Sequence, residues 1–246
     1  MRSAAGGAVE AETTLDGIRD IKLYQNKEGY RFSVDALLLY SFVNVRHARE
    51  IADLGAGSGV IGLLLAKRYD AANVLLVELQ ESLFGLAQKN ISLNGLEGRV
   101  RAVLTDVRHL GNICPPLSRD LVVSNPPFRK PGSGRLSVGQ EKAVARHELR
   151  MKLPELANAA SYLLRARGRF FMIFHPERVL EAVDELRAAR LEPKRLRFVH
   201  NDVNSGSKMV LVEAVKEGKA GLKVERPLVL YSAEGSYTDE VKAMYS

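Results

Sequence analysis

Cysteine is almost missing: Cys114 is the only one in the chain. A disulfide within the chain is therefore impossible, and no cysteine cluster exists to hold zinc. The five histidines, His47, His109, His147, His175 and His200, are scattered, with no helical His-x-x-x-His pair to grip a metal. No metal is expected. No apolar run is long enough to span a bilayer, and residues 1–12 lack the apolar stretch of a secretion signal. The expectation is a cytoplasmic protein with no membrane partner. Glycine and proline, 20 and 9 of 246 residues, are not in excess, which excludes fibrous and low-complexity classes. No internal repeat is visible.

What is present suits one α/β core: 46% of the residues are hydrophobic. The formal net charge of +7 favours polyanionic partners such as nucleic acid through the summed field. Residues 1–12, small and polar, read as a disordered tail. Residues 13–48 read as a hairpin around Asp16-Gly17 and an apolar helix over 35–45, both packed on a catalytic domain of residues 49–246. Within that domain strands and helices alternate. Strands are predicted at 50–54, 73–77, 99–105, 120–124, 168–174, 195–200 and 208–216. Helices are predicted at 59–68, 82–94, 154–166 and 177–190. Such alternation argues for a mainly parallel, seven-stranded sheet with helices on both faces. The last two strands follow each other without a helix, so the final one should run antiparallel.

The chemistry sits where strands end. Asp53-Leu54-Gly55-Ala56-Gly57-Ser58-Gly59 follows a strand and opens a helix. Its glycines let backbone approach a ligand closely, and the helix start offers free N–H groups. A dinucleotide fingerprint needs G-x-G-x-x-G; here Val60 stands at the third position and the spacing is G-x-G-x-G. Asp53 would repel a pyrophosphate but not the ammonium or sulfonium of S-adenosylmethionine, so that cofactor is expected, with S-adenosylhomocysteine as product. Glu78 ends the next strand, where a carboxylate accepts ribose hydroxyls. Asp106, after the strand that follows, either accepts the adenine amine of the cofactor or caps a turn. Asn125-Pro126-Pro127-Phe128 ends the fourth strand. An amine conjugated to a ring or carbonyl is a poor nucleophile. The Asn oxygen and a Pro carbonyl can each accept one of its N–H bonds and aim its lone pair at a methyl group, with the prolines pre-setting both acceptors. Phe128 would stack on the planar target. In an open parallel sheet all four strand ends share one edge, where ligands bind.

Together, Gly55–Gly59 and Asn125–Phe128 resemble the amino-methyltransferases of the class I Rossmann-like fold. Gly29-Tyr30-Arg31-Phe32-Ser33-Val34-Asp35-Ala36, Ala145-Arg146-His147-Glu148 and Tyr237-Thr238-Asp239-Glu240-Val241 narrow the likeness to the bacterial tRNA adenine-N6 methyltransferases. That family acts on the anticodon-loop adenine just 3′ of the anticodon in a valine tRNA. The likeness runs from about Thr14 to the end of the chain. It implies catalytic roles for Asn125, Pro126, Pro127 and Phe128, the last standing where the family often has Tyr. It implies cofactor contacts from Arg31, Phe32, Ser33, Asp35, Asp53, Leu54, Gly55, Ala56, Gly57, Gly59, Glu78, Leu79, Asp106, Val107 and Asn125, with Arg31–Asp35 flanking the methionine end. A bare reading of the 31–36 stretch gives only a helix cap.

Arg129, Lys130, Arg135, Lys142, Arg146, Arg150 and Lys152 cluster after the catalytic motif, with only Glu141 and Glu148 to offset them. A long segment without periodicity at that place is either a substrate-phosphate contact or a solvated loop. Arg165, Arg167 and Arg169 read as a second basic patch. Single-stranded loops, whose bases can splay out, are the usual targets of base-specific reading. Other acceptors share the Asn-Pro-Pro-Phe chemistry: a glutamine amide in a protein of the release-factor kind, or adenine in ribosomal RNA or DNA. Glutamine methyltransferases usually carry a helical domain before the glycine loop, whereas a hairpin and one helix precede Asp53 here. A non-catalytic nucleic-acid-binding module that keeps the fold is the alternative from outside enzymes.

Overall fold

The computed structural model describes residues 13–27, 34–126 and 152–245. It opens with a two-stranded antiparallel hairpin, β1 (Thr13–Ile18) and β2 (Ile21–Asn26), joined by a turn at Arg19-Asp20. Ile21, Leu23 and Gln25 alternate inward along β2, as a half-buried strand requires. Helix α1 (Val34–Phe42) is apolar almost throughout and buries Ala36–Tyr40 and Phe42. The helix ends three residues earlier than the sequence pattern suggests, because the chain beyond Phe42 turns into loop.

The main sheet is built from β3 (Glu50–Leu54), β4 (Asn73–Glu78), β5 (Val100–Leu104), β6 (Arg119–Ser124), β7 (Leu164–Phe174), β8 (Leu191–His200) and β9 (Ser207–Lys216). Strands β3 to β7 are mutually parallel neighbours, and β9 runs antiparallel between β7 and β8. The sequence reading of a final antiparallel strand therefore describes the sheet. The expected count of seven strands falls short. Two-residue strands β10 (Lys223–Val224) and β11 (Leu228–Val229) add in parallel along β8, making nine. Segments that short carry no alternation of their own, and only the free edge of β8 makes them strands.

Helices α2 (Val60–Arg68), α3 (Glu81–Leu93) and the C-terminal α6 (Asp239–Met244) join α1 and the hairpin on one face, around Leu37, Leu63, Leu76 and Phe171. A 3-10 turn (Val107–Asn112), α4 (Leu153–Leu163) and α5 (Val179–Ala188) cover the other, around Leu75, Val122, Leu156 and Phe170. Consecutive residues of the central strands thus feed opposite cores, which is why they read as continuous apolar runs and not as alternations. Helix α4 stops at Leu163, and β7 begins at once with Leu164. Residues 164–166 are strand, not helix: Leu164 pairs with Arg119 at the start of β6, and an irregularity in the register follows before Arg169 pairs with Leu121. Among the described residues no helix is long and apolar enough to cross a membrane.

The chain moves from β3 outward through β4 to β5, then returns to place β6 on the other flank of β3. The connections run over opposite faces on the two sides of that point. A crevice therefore opens between β3 and β6 at their carboxyl ends, the usual ligand position in an open α/β sheet.

Candidate active site

The loop after β3 and the residue after β6 meet at that crevice. Ile51, Ala52 and Asp53 of β3 pair with Leu121, Val122 and Val123 of β6. The buried Ser124 Oγ donates to the Leu54 carbonyl at 2.6 Å and ties the two strand ends together. Asn125 follows, half-buried, and Pro126 is buried. Beside them Gly55, Gly57 and Gly59 all adopt positive φ, at 72°, 59° and 91°, a conformation that costs other residues about 1–2 kcal/mol. Gly55 and Ala56 donate their N–H groups to the Val77 carbonyl at 2.9 and 3.0 Å, anchoring the loop to β4.

Three acids stand along the same edge, each with a different occupation. Glu78 ends β4 and is organised by backbone. Its Oε2 accepts the Gly57 N–H at 2.8 Å, and its Oε1 accepts those of Leu79 and Gln80, both at 2.9 Å. Asp106 Oδ1 accepts the Arg108 backbone N–H at 2.9 Å and caps the 3-10 turn, and both its oxygens take the Arg108 guanidinium. That guanidinium holds the Asp106 carboxyl below its usual range. Turn capping, one of the two sequence readings of Asp106, is thus present in the structure.

Asp53 differs from its expected placement. It is only 1% exposed, and its Oδ2 accepts the Gly62 N–H of α2 at 3.0 Å. Burial pushes its carboxyl up to about 7, with the nearby Glu78 charge adding to the rise. Asp53 is a sealed support beneath the loop, so the discrimination between cationic and anionic ligands does not rest on it alone.

Gly62 was not singled out by the motif. A Cβ there would lie 2.2 Å from Leu76 Cδ2 and 3.4 Å from Asp53 Oδ2. The only sequence signal is a glycine inside a helical stretch. Because Leu76 is fully buried, Gly62→Ala is expected to lose about 1–3 kcal/mol of stability through overpacking. The midpoint of urea unfolding checks this, and an unchanged midpoint would show that Leu76 can move aside.

The residues present fit an adenosyl cofactor carrying an amino acid tail. Carboxylates at strand ends offer acceptors, and the loop brings bare backbone to the crevice. Leu79, 38% exposed at the mouth, offers an apolar face. Gln80 Nε2 is a buried donor with no partner among the described residues. Val107 is buried behind Asp106, and Asp35 lies in the first turn of α1. Arg31, Phe32, Ser33, Pro127, Phe128, Arg129, Lys130, Arg135, Lys142, Arg146 and Arg150 lie outside the described residues. The second basic patch is largely neutralised: Arg165 pairs with Asp120 at 2.7 Å and Arg169 pairs with Glu213. It also sits at the start of β7, and because β7 is parallel to β6 this is the edge opposite the crevice.

Known proteins give this geometry its context. Residues 32–188 match the family described as "Methyltransferase small domain". A protein of Pedobacter heparinus named tRNA1(Val) (adenine(37)-N6)-methyltransferase is 28% identical over 214 residues, which is 87% of this chain and 88% of that protein. A protein of the same name from Haemophilus influenzae is 25% identical over 223 residues, covering 90% and 92% of the two chains. Among solved structures, a predicted O-methyltransferase from Agrobacterium tumefaciens superposes with a TM-score of 0.71 at 24% identity, over 86% of this chain and 95% of that one. TYW2 of M. jannaschii in complex with AdoMet superposes with a TM-score of 0.58 at 16% identity, over 84% and 86%. These two likenesses speak for the fold. With the glycine loop, the strand-end acids and Asn125 along one edge of the sheet, and with the family match spanning more than half of its length, the chain belongs to the methyltransferase small domain family.

Proposed function

We propose that this protein transfers a methyl group from S-adenosylmethionine to the exocyclic N6 amine of an adenine in the anticodon loop of a tRNA. The observation that carries the reading is the adjacency of Asn125 and the Gly55–Gly59 loop, fastened together by the Ser124–Leu54 hydrogen bond. The names of the full-length relatives support adenine in tRNA as the acceptor, and so does the net charge of +7.

S-adenosylmethionine supplies an electrophilic methyl group. The chain's residues do the rest. Glu78 holds the loop through Gly57 and offers its carboxylate to the ribose hydroxyls. Leu79 packs against the purine, and Asp106 and Val107 close the far side. Arg31, Phe32, Ser33 and Asp35 take the amino acid end. Asn125 Oδ1 and the Pro126 carbonyl accept the two N–H bonds of the target amine, turning its lone pair toward the methyl group, while Phe128 stacks on the base. Arg129, Lys130, Arg135, Lys142, Arg146 and Arg150 contact phosphates.

The test is methylation of tRNA from cells lacking the gene, followed by digestion and mass spectrometry of the nucleosides. N6-methyladenosine should appear only with enzyme and S-adenosylmethionine together. Its absence from every tRNA would overturn the assignment.

A further inference from the structure

The hairpin is fastened to the body by two asparagines, Asn90 of α3 and Asn94, which caps the end of that helix. Asn94 Oδ1 accepts the Lys22 N–H at 2.9 Å, and its Nδ2 donates to the Lys22 carbonyl at 2.7 Å. One turn earlier, Asn90 Oδ1 accepts the Tyr24 N–H at 2.6 Å and its Nδ2 donates to the Tyr24 carbonyl at 3.1 Å. Four residues of helix rise about 6 Å, and two residues of strand advance about 6.7 Å. Side chains four apart on α3 therefore meet alternate residues on the outer edge of β2. Each amide reproduces the donor–acceptor pair that a neighbouring strand would present.

The two asparagines differ in what else they hold: Asn94 Nδ2 also donates to the Asn90 carbonyl at 2.7 Å, within the end of α3. Asn90 is 0% exposed, and its Nδ2 also donates to the Ser58 carbonyl at 2.9 Å. Ser58 sits, buried, between Gly57 and Gly59, both at positive φ, a conformation that glycine permits. Glu78 fixes the Gly57 N–H, and the Gly59 N–H bonds the Ala56 carbonyl at 2.9 Å. Asn90 holds the peptide oxygen between them.

We propose that Asn90 is a positioning residue that couples the seating of the amino-terminal hairpin to the shape of the cofactor loop. The proposal rests on the reading of that loop as the S-adenosylmethionine site. Asn94 is the built-in control, since it grips the same strand without touching the loop.

The experiment is calorimetric S-adenosylmethionine binding, with no RNA present, to the full chain and three variants, alongside thermal unfolding. Asn90→Ala should raise Kd about tenfold, the equivalent of one lost buried hydrogen bond. Asn94→Ala should change Kd by less than about twofold while still lowering Tm, because it frees the hairpin and the end of α3, where Asn94 Nδ2 also donates to the Asn90 carbonyl at 2.7 Å, but leaves the Asn90–Ser58 bond in place. Asn90→Asp adds a readout that a purely structural role would not move. Its protonated carboxyl can still donate to Ser58 and its carboxylate cannot, so the ratio of its Kd to the wild-type value should rise with pH. Asn90→Asp also carries the test if Asn90→Ala does not fold. Equal effects of Asn90→Ala and Asn94→Ala on Kd, or a ratio for Asn90→Asp that does not vary with pH, would overturn the coupling. Absence of binding by the wild-type chain would overturn the cofactor reading, and this proposal with it.

Discussion

Asn125→Ala is expected to slow methyl transfer about 10²–10³-fold, the cost typical of deleting one preorganised hydrogen-bonding group, while leaving the S-adenosylmethionine Kd nearly unchanged. The adenine N6 lone pair is spread into the ring, so the amine becomes nucleophilic only as it is pulled toward a tetrahedral shape. The Asn125 oxygen assists that change and does little for the ground state. Its loss therefore falls on kcat and not on binding. The side chain is half-buried at the end of β6 and carries no part of either core cluster, so the variant should fold. Asn125→Asp keeps an acceptor oxygen at the same place and should retain more activity than the alanine variant. Single-turnover methylation of tRNA with saturating cofactor gives the comparison. Near-normal turnover by Asn125→Ala would remove Asn125 from the chemistry.

The second large effect concerns stability. The Asp53 carboxyl, ordinarily near 3.8, is pushed to about 7 by burial. Between those values the folded chain holds a proton that the unfolded chain has released, so stability falls as pH rises from about 4 to about 7 and is level above. The integrated loss is on the order of 4 kcal/mol. Asp53→Asn keeps an oxygen to accept the Gly62 N–H but cannot ionise. Measured by urea unfolding at a series of pH values, the variant should gain on the wild type steadily across that window, with the largest advantage near pH 8. Parallel stability curves would show that the Asp53 carboxylate is already compensated in the fold. A more stable Asp53→Asn protein with weaker S-adenosylmethionine binding would mark Asp53 as a group whose charge costs stability and serves the ligand.

Much of this site is legible in the sequence because its parts are local. A parallel strand buried on both faces is a continuous apolar run, and VLLVE and DLVVS show where such runs stop. A glycine cluster between a strand and a helix is a short-range signal, and so is an asparagine followed by two prolines. The supports of the site are not local. Asn90 reaches Tyr24 and Asn94 reaches Lys22 across 66 and 72 residues. Ser124 reaches Leu54 across 70. Residues 164–166 look helical by propensity and become strand where Leu164 meets Arg119 of β6, 45 residues away. Arg165 and Arg169 look like free cations until Asp120 and Glu213 arrive from 45 and 44 residues away.

By itself, then, the sequence determined the order of strands and helices, the loop that turns on glycine, and the polar residues that close each strand, since side-chain periodicity and backbone freedom are properties of neighbours. The tertiary structure alone decided which of those polar groups face the crevice. Asp53 is sealed, with its carboxyl pushed up by burial, Asp106 is occupied by Arg108, and Glu78 is bound to the loop it shapes. It alone decided that an asparagine of α3 and the asparagine that caps it stand in for a missing strand. A group's charge, partners and exposure depend on what long-range packing brings within a few ångströms, and no spacing along the chain encodes that distance.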